Sequence, residues 1–193
     1  MKVAYVDIHT HHPTEALTLQ TVGVHPWQAD EALPTEAVFG QAEAIGEIGL
    51  DFACGVDHTV QLRTFTAQLD LAEQLKKPVV LHCVRAFEEV MQALRGRSLP
   101  AVIFHGFIGS KEQAARAIRE GYHLSFGVRT SRSPKTIEAL RLTPLDRLFV
   151  ETDEANEPIE QIYANVAQLR GISIEELQEA TRQNYERIIA KQQ

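Results

Sequence analysis

Seven short apolar runs, each closed by polar or charged residues, alternate along the chain with stretches of helical period. This alternation confines the fold to repeated strand–helix units around a parallel sheet. The runs are Val3 to His9, Leu19 to His25, Ala44 to Asp51, Pro78 to Cys83, Ala101 to His105, Tyr122 to Gly127 and Leu148 to Asp153. Between them, Leu62, Phe65, Leu69, Ala72 and Leu75 recur at three- and four-residue steps and place one apolar stripe on a helix that stops before Pro78. Phe87, Val90, Met91 and Leu94 repeat the pattern. Ser110 with Gln113 predicts a capping box, Ser133 before Pro134 opens another helix, and Gly171 separates the last two. An α/β fold with about seven parallel strands follows.

Only about ten residues join the first two runs, close to the lower limit for a parallel crossover with its own helix. Either the crossover is very short or those strands pair in another way. With 44% hydrophobic residues in 193, the chain is expected to form one domain over residues 1–193. Nineteen basic against 26 acidic side chains give a net charge of −7, which excludes nucleic-acid binding by bulk positive charge. No apolar stretch approaches a membrane span, and the opening MKVAYVDIHTHH has no apolar core of a secretion signal. Together with only two cysteines, Cys54 and Cys83, this leads us to expect a cytoplasmic protein that needs no disulfide.

A parallel barrel carries its functional groups at the carboxyl ends of its strands, and the polar residues fall there repeatedly. His9 and His11 flank Thr10, so on an extended backbone they share a face and can bind one ion. Taken alone, such a pair is more often a surface feature. Glu47 interrupts an otherwise apolar or glycine-bearing run, where a carboxylate needs a salt bridge or a metal. His82 ends Val79–Val80–Leu81, His105 ends Val102–Ile103–Phe104, and Asp153 follows Glu151–Thr152. Glu151 is the competing carboxylate there, and its place two residues earlier points to a deeper position or a basic partner. Four histidines and two carboxylates suit two divalent cations (Zn, Mn or Mg) sharing a carboxylate, the donor set of a hydrolytic centre.

These residues resemble the TatD family of metal-dependent hydrolases, within the amidohydrolase superfamily of (β/α) barrels. The matching segments are Asp7-Ile-His-Thr-His11, Gly23-Val-His-Pro-Trp27, Ala44-Ile-Gly-Glu-Ile-Gly-Leu-Asp51, Pro78-Val-Val-Leu-His82, Phe104-His-Gly-Phe-Ile-Gly109 and Leu148-Phe-Val-Glu-Thr-Asp153. The resemblance implies a TIM-type (β/α) barrel. Because family members have a longer segment with a further strand and helices before Gly-x-His-Pro, the barrel is expected to be incomplete. It implies that His9 and His11 hold one metal and His82 and His105 the other, with Glu47 bridging. Asp153 would bind metal and handle the nucleophile's proton, and His25 would face the substrate. The family's Leu-His-x-Arg arginine is Val84 here, so Arg85 is the neighbouring candidate for substrate binding.

The implied activity is that of a deoxyribonuclease or phosphodiesterase, cleaving DNA or a related phosphoester by attack of a metal-bridging hydroxide. The substrate would be a nucleic-acid end or a small phosphoester. Two alternatives are a metal-dependent amidohydrolase or esterase on a small substrate, and a non-catalytic barrel stabilised by its metal. The omitted strand–helix unit would expose a strand edge, which either a partner subunit, in a homodimer, or a rearranged helix is expected to cover. Trp27 is expected to pack over the barrel rim rather than stack on a base, and Cys83 to serve as core packing.

Overall fold

The computed structural model describes residues 4–190. These residues group into two compact units, a central one spanning Gln20–Phe104 and a terminal one made of residues 4–19 with 105–190.

The central unit runs β1 (Thr21–Val22), α1 (Glu36–Gln41), β2 (Ala44–Asp51), α2 (His58–Leu75), β3 (Val79–Val84), α3 (Phe87–Leu94) and β4 (Val102–Phe104). Its four strands are parallel and follow chain order. Ile45, Ile48 and Leu50 of β2 are fully buried, as are Val79, Val80 and Leu81 of β3 and Leu69 and Ala72 of α2. Each large apolar side chain taken out of water in this way contributes roughly 1.5–3 kcal/mol. The helix carrying the predicted stripe begins at the Asp57 cap, whose carboxylate accepts the N–H groups of Thr59 (2.8 Å) and Val60 (3.1 Å). Those two hydrogen bonds hold the Asp57 carboxyl below its ordinary pKa.

The terminal unit runs α4 (Lys111–Arg119), β5 (His123–Phe126), α5 (Pro134–Leu142), β6 (Leu148–Val150), α6 (Ile159–Arg170) and α7 (Ile174–Ala190). β5 and β6 pair in parallel. The Ser110–Gln113 capping box opens α4 as expected, Pro134 opens α5, and Gly171 ends α6 in the left-handed conformation at φ 70°. No helix among the described residues is long and apolar enough to cross a membrane.

Two of the seven predicted strands come out differently. Val3, the start of the first, lies outside the described residues. The remainder of that run is extended backbone held by isolated parallel bridges, Val6 with Leu17 and Thr10 with Asp153. Ile8 N–H donates to Val150 O (3.1 Å) and Asp153 N–H to His9 O (3.1 Å), so the segment lies along β6 without forming a continuous ladder. The second run, expected over Leu19 to His25, contributes only Thr21–Val22. The physical reason lies in the link. No helix intervenes after His11, and Leu17 returns to pair with Val6 directly. The alternative left open by the sequence, pairing without a helical crossover, is the one adopted.

Tyr163 of α6 holds this segment from beneath. Its hydroxyl donates to Val6 O (2.9 Å), receives Val6 N–H (3.3 Å) and lies 2.7 Å from Thr181 Oγ1, all in the buried interior. Burial raises the Tyr163 phenol far above its usual pKa, so it remains a neutral donor. Tyr163→Phe removes the hydroxyl that pairs both backbone groups of Val6. It is expected to cost about 1–3 kcal/mol in urea denaturation. A variant as stable as wild type would show that the hydroxyl does not hold Val6.

Candidate metal centre

Each unit brings together its own share of the predicted site residues. In the terminal unit, His9, His105 and Asp153 place one ligand atom each within 4.8 Å of the others. Asp153 Oδ1 lies 3.8 Å from His9 Nε2 and 3.4 Å from His11 Nε2. The rings of His9 and His105 are 4.5 Å apart. His9 and His105 are buried, while His11 and Asp153 open to solvent. Asp153 adopts φ 56°, a left-handed conformation that aspartate tolerates better than most residues. That turn directly follows β6 and carries the carboxylate to the imidazoles.

Two buried carboxylates support this group from behind. Glu151 Oε1 lies 3.2 Å from His105 Nδ1 and the residue is fully buried, so both of the alternatives read from the sequence, a deeper position or a basic partner, are met. Assigning the Nδ1 proton to this bond puts the ligating lone pair of His105 on Nε2. Burial by itself would raise the Glu151 pKa, but the neighbouring His105, then His9, hold it below the ordinary value. Asp7 accepts Thr152 N–H (2.8 Å) and Thr152 Oγ1–H (2.7 Å), fixing the start of the turn that leads to Asp153. Burial pushes its carboxyl up to about 6 despite those bonds.

In the central unit, His25, Glu47 and His82 form a second triad within 4.8 Å. Glu47 Oε1 stands 2.8 Å from His82 Nδ1 and 3.5 Å from His25 Nε2. Local folding explains this convergence. The β2–β3 register advances three residues on β2 against two on β3 between Ile45 and Ile48, a bulge that aims Glu47. Glycines flank it because nothing larger fits. A Cβ on Gly46 would meet Val80 Cβ at 2.7 Å, and one on Gly49 would meet His82 O at 1.9 Å.

Asp51, to which the sequence assigned no role, closes this side. Its Oδ2 lies 3.3 Å from His82 Nε2 and accepts Trp27 Nε1–H (2.7 Å), and its Oδ1 accepts Ala53 N–H (2.8 Å). Burial opposes its charge, but the hydrogen bonds from Trp27 and Ala53 and the neighbouring His82 prevail and lower its pKa. The available signal was positional: like His82, Asp51 ends an apolar run. Trp27 sits in a 3-10 turn (Pro26–Gln28) rather than at a strand end, is 56% exposed, and is held both by its hydrogen bond to Asp51 and edge-on against the His25 ring. Arg85 is exposed in a left-handed turn (φ 53°) just beyond β3. Cys83 is mostly buried, and burial pushes its thiol up to about 12, in keeping with core packing.

The donors fit divalent cations of borderline character. Ligands bonded at about 2.1 Å to a tetrahedral ion stand roughly 3.4 Å from one another. The 3.4 and 3.8 Å separations of the His11 and His9 nitrogens from the Asp153 oxygen are therefore ligand-to-ligand spacings as much as ion pairs. His82 and Glu47, at 2.8 Å, are instead directly hydrogen-bonded.

Comparison with known proteins supplies independent findings. A family model described as TatD related DNase matches residues 7–190. The putative deoxyribonuclease TATDN3 of Mus musculus is 31% identical over 206 residues, covering 91% of this chain and 70% of its own length. The 3'-5' ssDNA/RNA exonuclease TatD of Erwinia amylovora is 35% identical over 196 residues, covering 85% and 75% respectively. Among solved structures, the TatD homolog YJJV of Escherichia coli K12 matches with a TM-score of 0.77 and 27% identity over 89% of this chain and 76% of its own. A TatD family hydrolase of Entamoeba histolytica matches in fold with a TM-score of 0.77 at 20% identity, over 91% and 75%. The α/β class of TIM type expected from the sequence is the class of these structures.

Proposed function

The chain belongs to the TatD family of metal-dependent hydrolases, and from that membership we propose that it cleaves phosphodiester bonds at the ends of nucleic-acid strands. The observation that carries this reading is the pair of triads, each joining strand-end imidazole to carboxylate. We assign His9, His11, His105 and Asp153 to one divalent cation and Glu47 and His82 to a second. When bound, such cations supply Lewis acidity toward the phosphoryl group and acidify a coordinated water.

The chain's own groups do the rest. Asp153 is partly exposed and stands 3.4 Å from His11, where its carboxylate can accept the proton of the attacking water. His25, 3.5 Å from Glu47, is placed to donate to a non-bridging phosphate oxygen. Arg85, three residues beyond His82, adds positive charge for the phosphate. Glu151 and Asp51 are positioning residues that fix the rings of His105 and His82. A net charge of −7 is compatible with such a substrate, because a site that takes a strand end needs no long basic groove.

The test is hydrolysis of a short oligonucleotide with and without chelator. Loss of turnover in EDTA, recovery with Mn²⁺ or Zn²⁺, and about two cations per chain by elemental analysis are expected. Turnover undiminished after complete metal removal would overturn the proposal, and hydrolysis of esters or amides alone would favour a carbonyl substrate instead. We place this activity in one hydrolase domain, in the cytoplasm, and in a homodimer that covers the edge left by the short first link. Light scattering at twice the chain mass is the expected result, and a monomer at micromolar concentration would reject the dimer.

A further inference from the structure

Trp27 is the chain's only tryptophan. It is more than half exposed, one of few large apolar side chains so placed among the described residues. A ring so exposed turns freely unless something holds it, and this one is held at its edge. Its Nε1–H donates to Asp51 Oδ2 at 2.7 Å, and Asp51 is itself buried and fixed by Ala53 N–H. Its backbone N–H donates to His25 Nδ1 at 3.2 Å, and Pro26 stiffens the turn from the other side. The indole stands edge-on to His25, with centroids 4.8 Å apart and planes at 85°, and lies 6.3 Å from His82.

The arrangement joins three properties: an exposed π-surface, one fixed orientation, and contact with the histidine assigned to the phosphate. An aromatic ring already held in place loses little conformational freedom when a ligand covers it. A phosphate offers nothing to stack on, whereas every nucleobase has a π-face, and stacking on aromatic side chains is tolerant of base identity. Apolar packing alone would not require a buried carboxylate on the indole N–H.

We propose that Trp27 is a stacking platform for the nucleobase next to the scissile phosphate, so that the site selects a base-bearing strand over a base-free phosphoester. The inference rests on the phosphodiesterase reading of the same site and specifies its substrate. Asp51 then has two tasks, backing His82 on one side and orienting the platform on the other.

The test compares labelled oligothymidylate with an abasic oligomer of equal length, for the wild-type chain and for Trp27→Leu and Trp27→Phe. Binding is followed by anisotropy in EDTA, together with intrinsic emission in the wild-type chain, where only Trp27 reports. Hydrolysis of both oligomers is measured on the metal-loaded proteins. The wild-type chain should bind the base-bearing oligomer about tenfold more tightly, with quenched emission that the abasic oligomer does not produce. Trp27→Leu should abolish the preference, and Trp27→Phe, which keeps a ring but loses the bond to Asp51, should retain part of it. Equal affinities in the wild-type chain, a preference that survives Trp27→Leu, binding without quenching, or no binding at all would each overturn the role of Trp27. If the metal-loaded wild-type chain hydrolyses neither oligomer, the phosphodiesterase reading fails with it. Hydrolysis of both without preference sinks only the platform.

Discussion

Asp153→Asn is expected to lower turnover on an oligonucleotide by about a hundred- to ten-thousand-fold, the range a positioned base contributes. The substitution keeps the backbone turn while removing the charge that faces His9 and His11 and would bind metal. The turn is held by backbone bonds, Asp153 N–H to His9 O (3.1 Å) and His11 N–H to Asp153 O (3.0 Å), and asparagine supplies both. Asparagine also accepts the left-handed φ of 56° as readily as aspartate. The amide cannot take a proton and is a poorer ligand than the carboxylate, so catalysis should fall while the melting temperature stays near that of the wild type. Rates measured at saturating substrate, with circular dichroism as the control for folding, provide the check. Unchanged turnover would remove Asp153 from the chemistry.

The second large effect is structural. Gly49→Ala should destabilise the chain by more than about 3 kcal/mol, a size reserved for a backbone clash that cannot relax. The added methyl would sit 1.9 Å from the His82 carbonyl oxygen, an atom of the neighbouring strand rather than a movable side-chain tip. Gly49 also has φ 143°, a conformation strained for any other residue. Gly40→Ala is the matched control. It lies in α1 with nothing within 4 Å of the new methyl, and should stabilise by roughly 0.5–1 kcal/mol. Urea midpoints for the two variants should move in opposite directions. A stable Gly49→Ala would mean that β2 and β3 do not approach as closely as the structure has them.

Much of the candidate site was legible because strand ends announce themselves. His82 and His105 each close an apolar run, and a parallel strand delivers its last side chain to one edge of the sheet. β2 was bounded to the residue, since Gly-Glu-Ile-Gly-Leu-Asp begins and ends in residues unlike its flanks. The first two strands were legible in pattern and not in length. Alternating apolar residues report which side chains turn inward, whereas a ladder depends on a partner backbone over several residues. With the link folding Leu17 onto Val6, that partner is present only at isolated points.

The supporting carboxylates were harder to read for a different reason. Glu151 and Asp51 act through side-chain partners remote in sequence, His105 46 residues away and Trp27 24 residues away, and no local spacing encodes such a pair. Trp27 was read as a strand-end ring, whereas it stands in a turn beyond β1. Its exposure follows from the 3-10 turn begun at Pro26 and from the indole hydrogen bond, both of which are tertiary facts.

Anomalous X-ray scattering from crystals grown with Mn²⁺ or Zn²⁺ bears most directly on the metal centre. One peak is expected within bonding distance of His9, His105 and Asp153, and another at Glu47 and His82. Peaks only at other residues, or none at either triad with metal in excess, would contradict the assignment of these side chains as ligands.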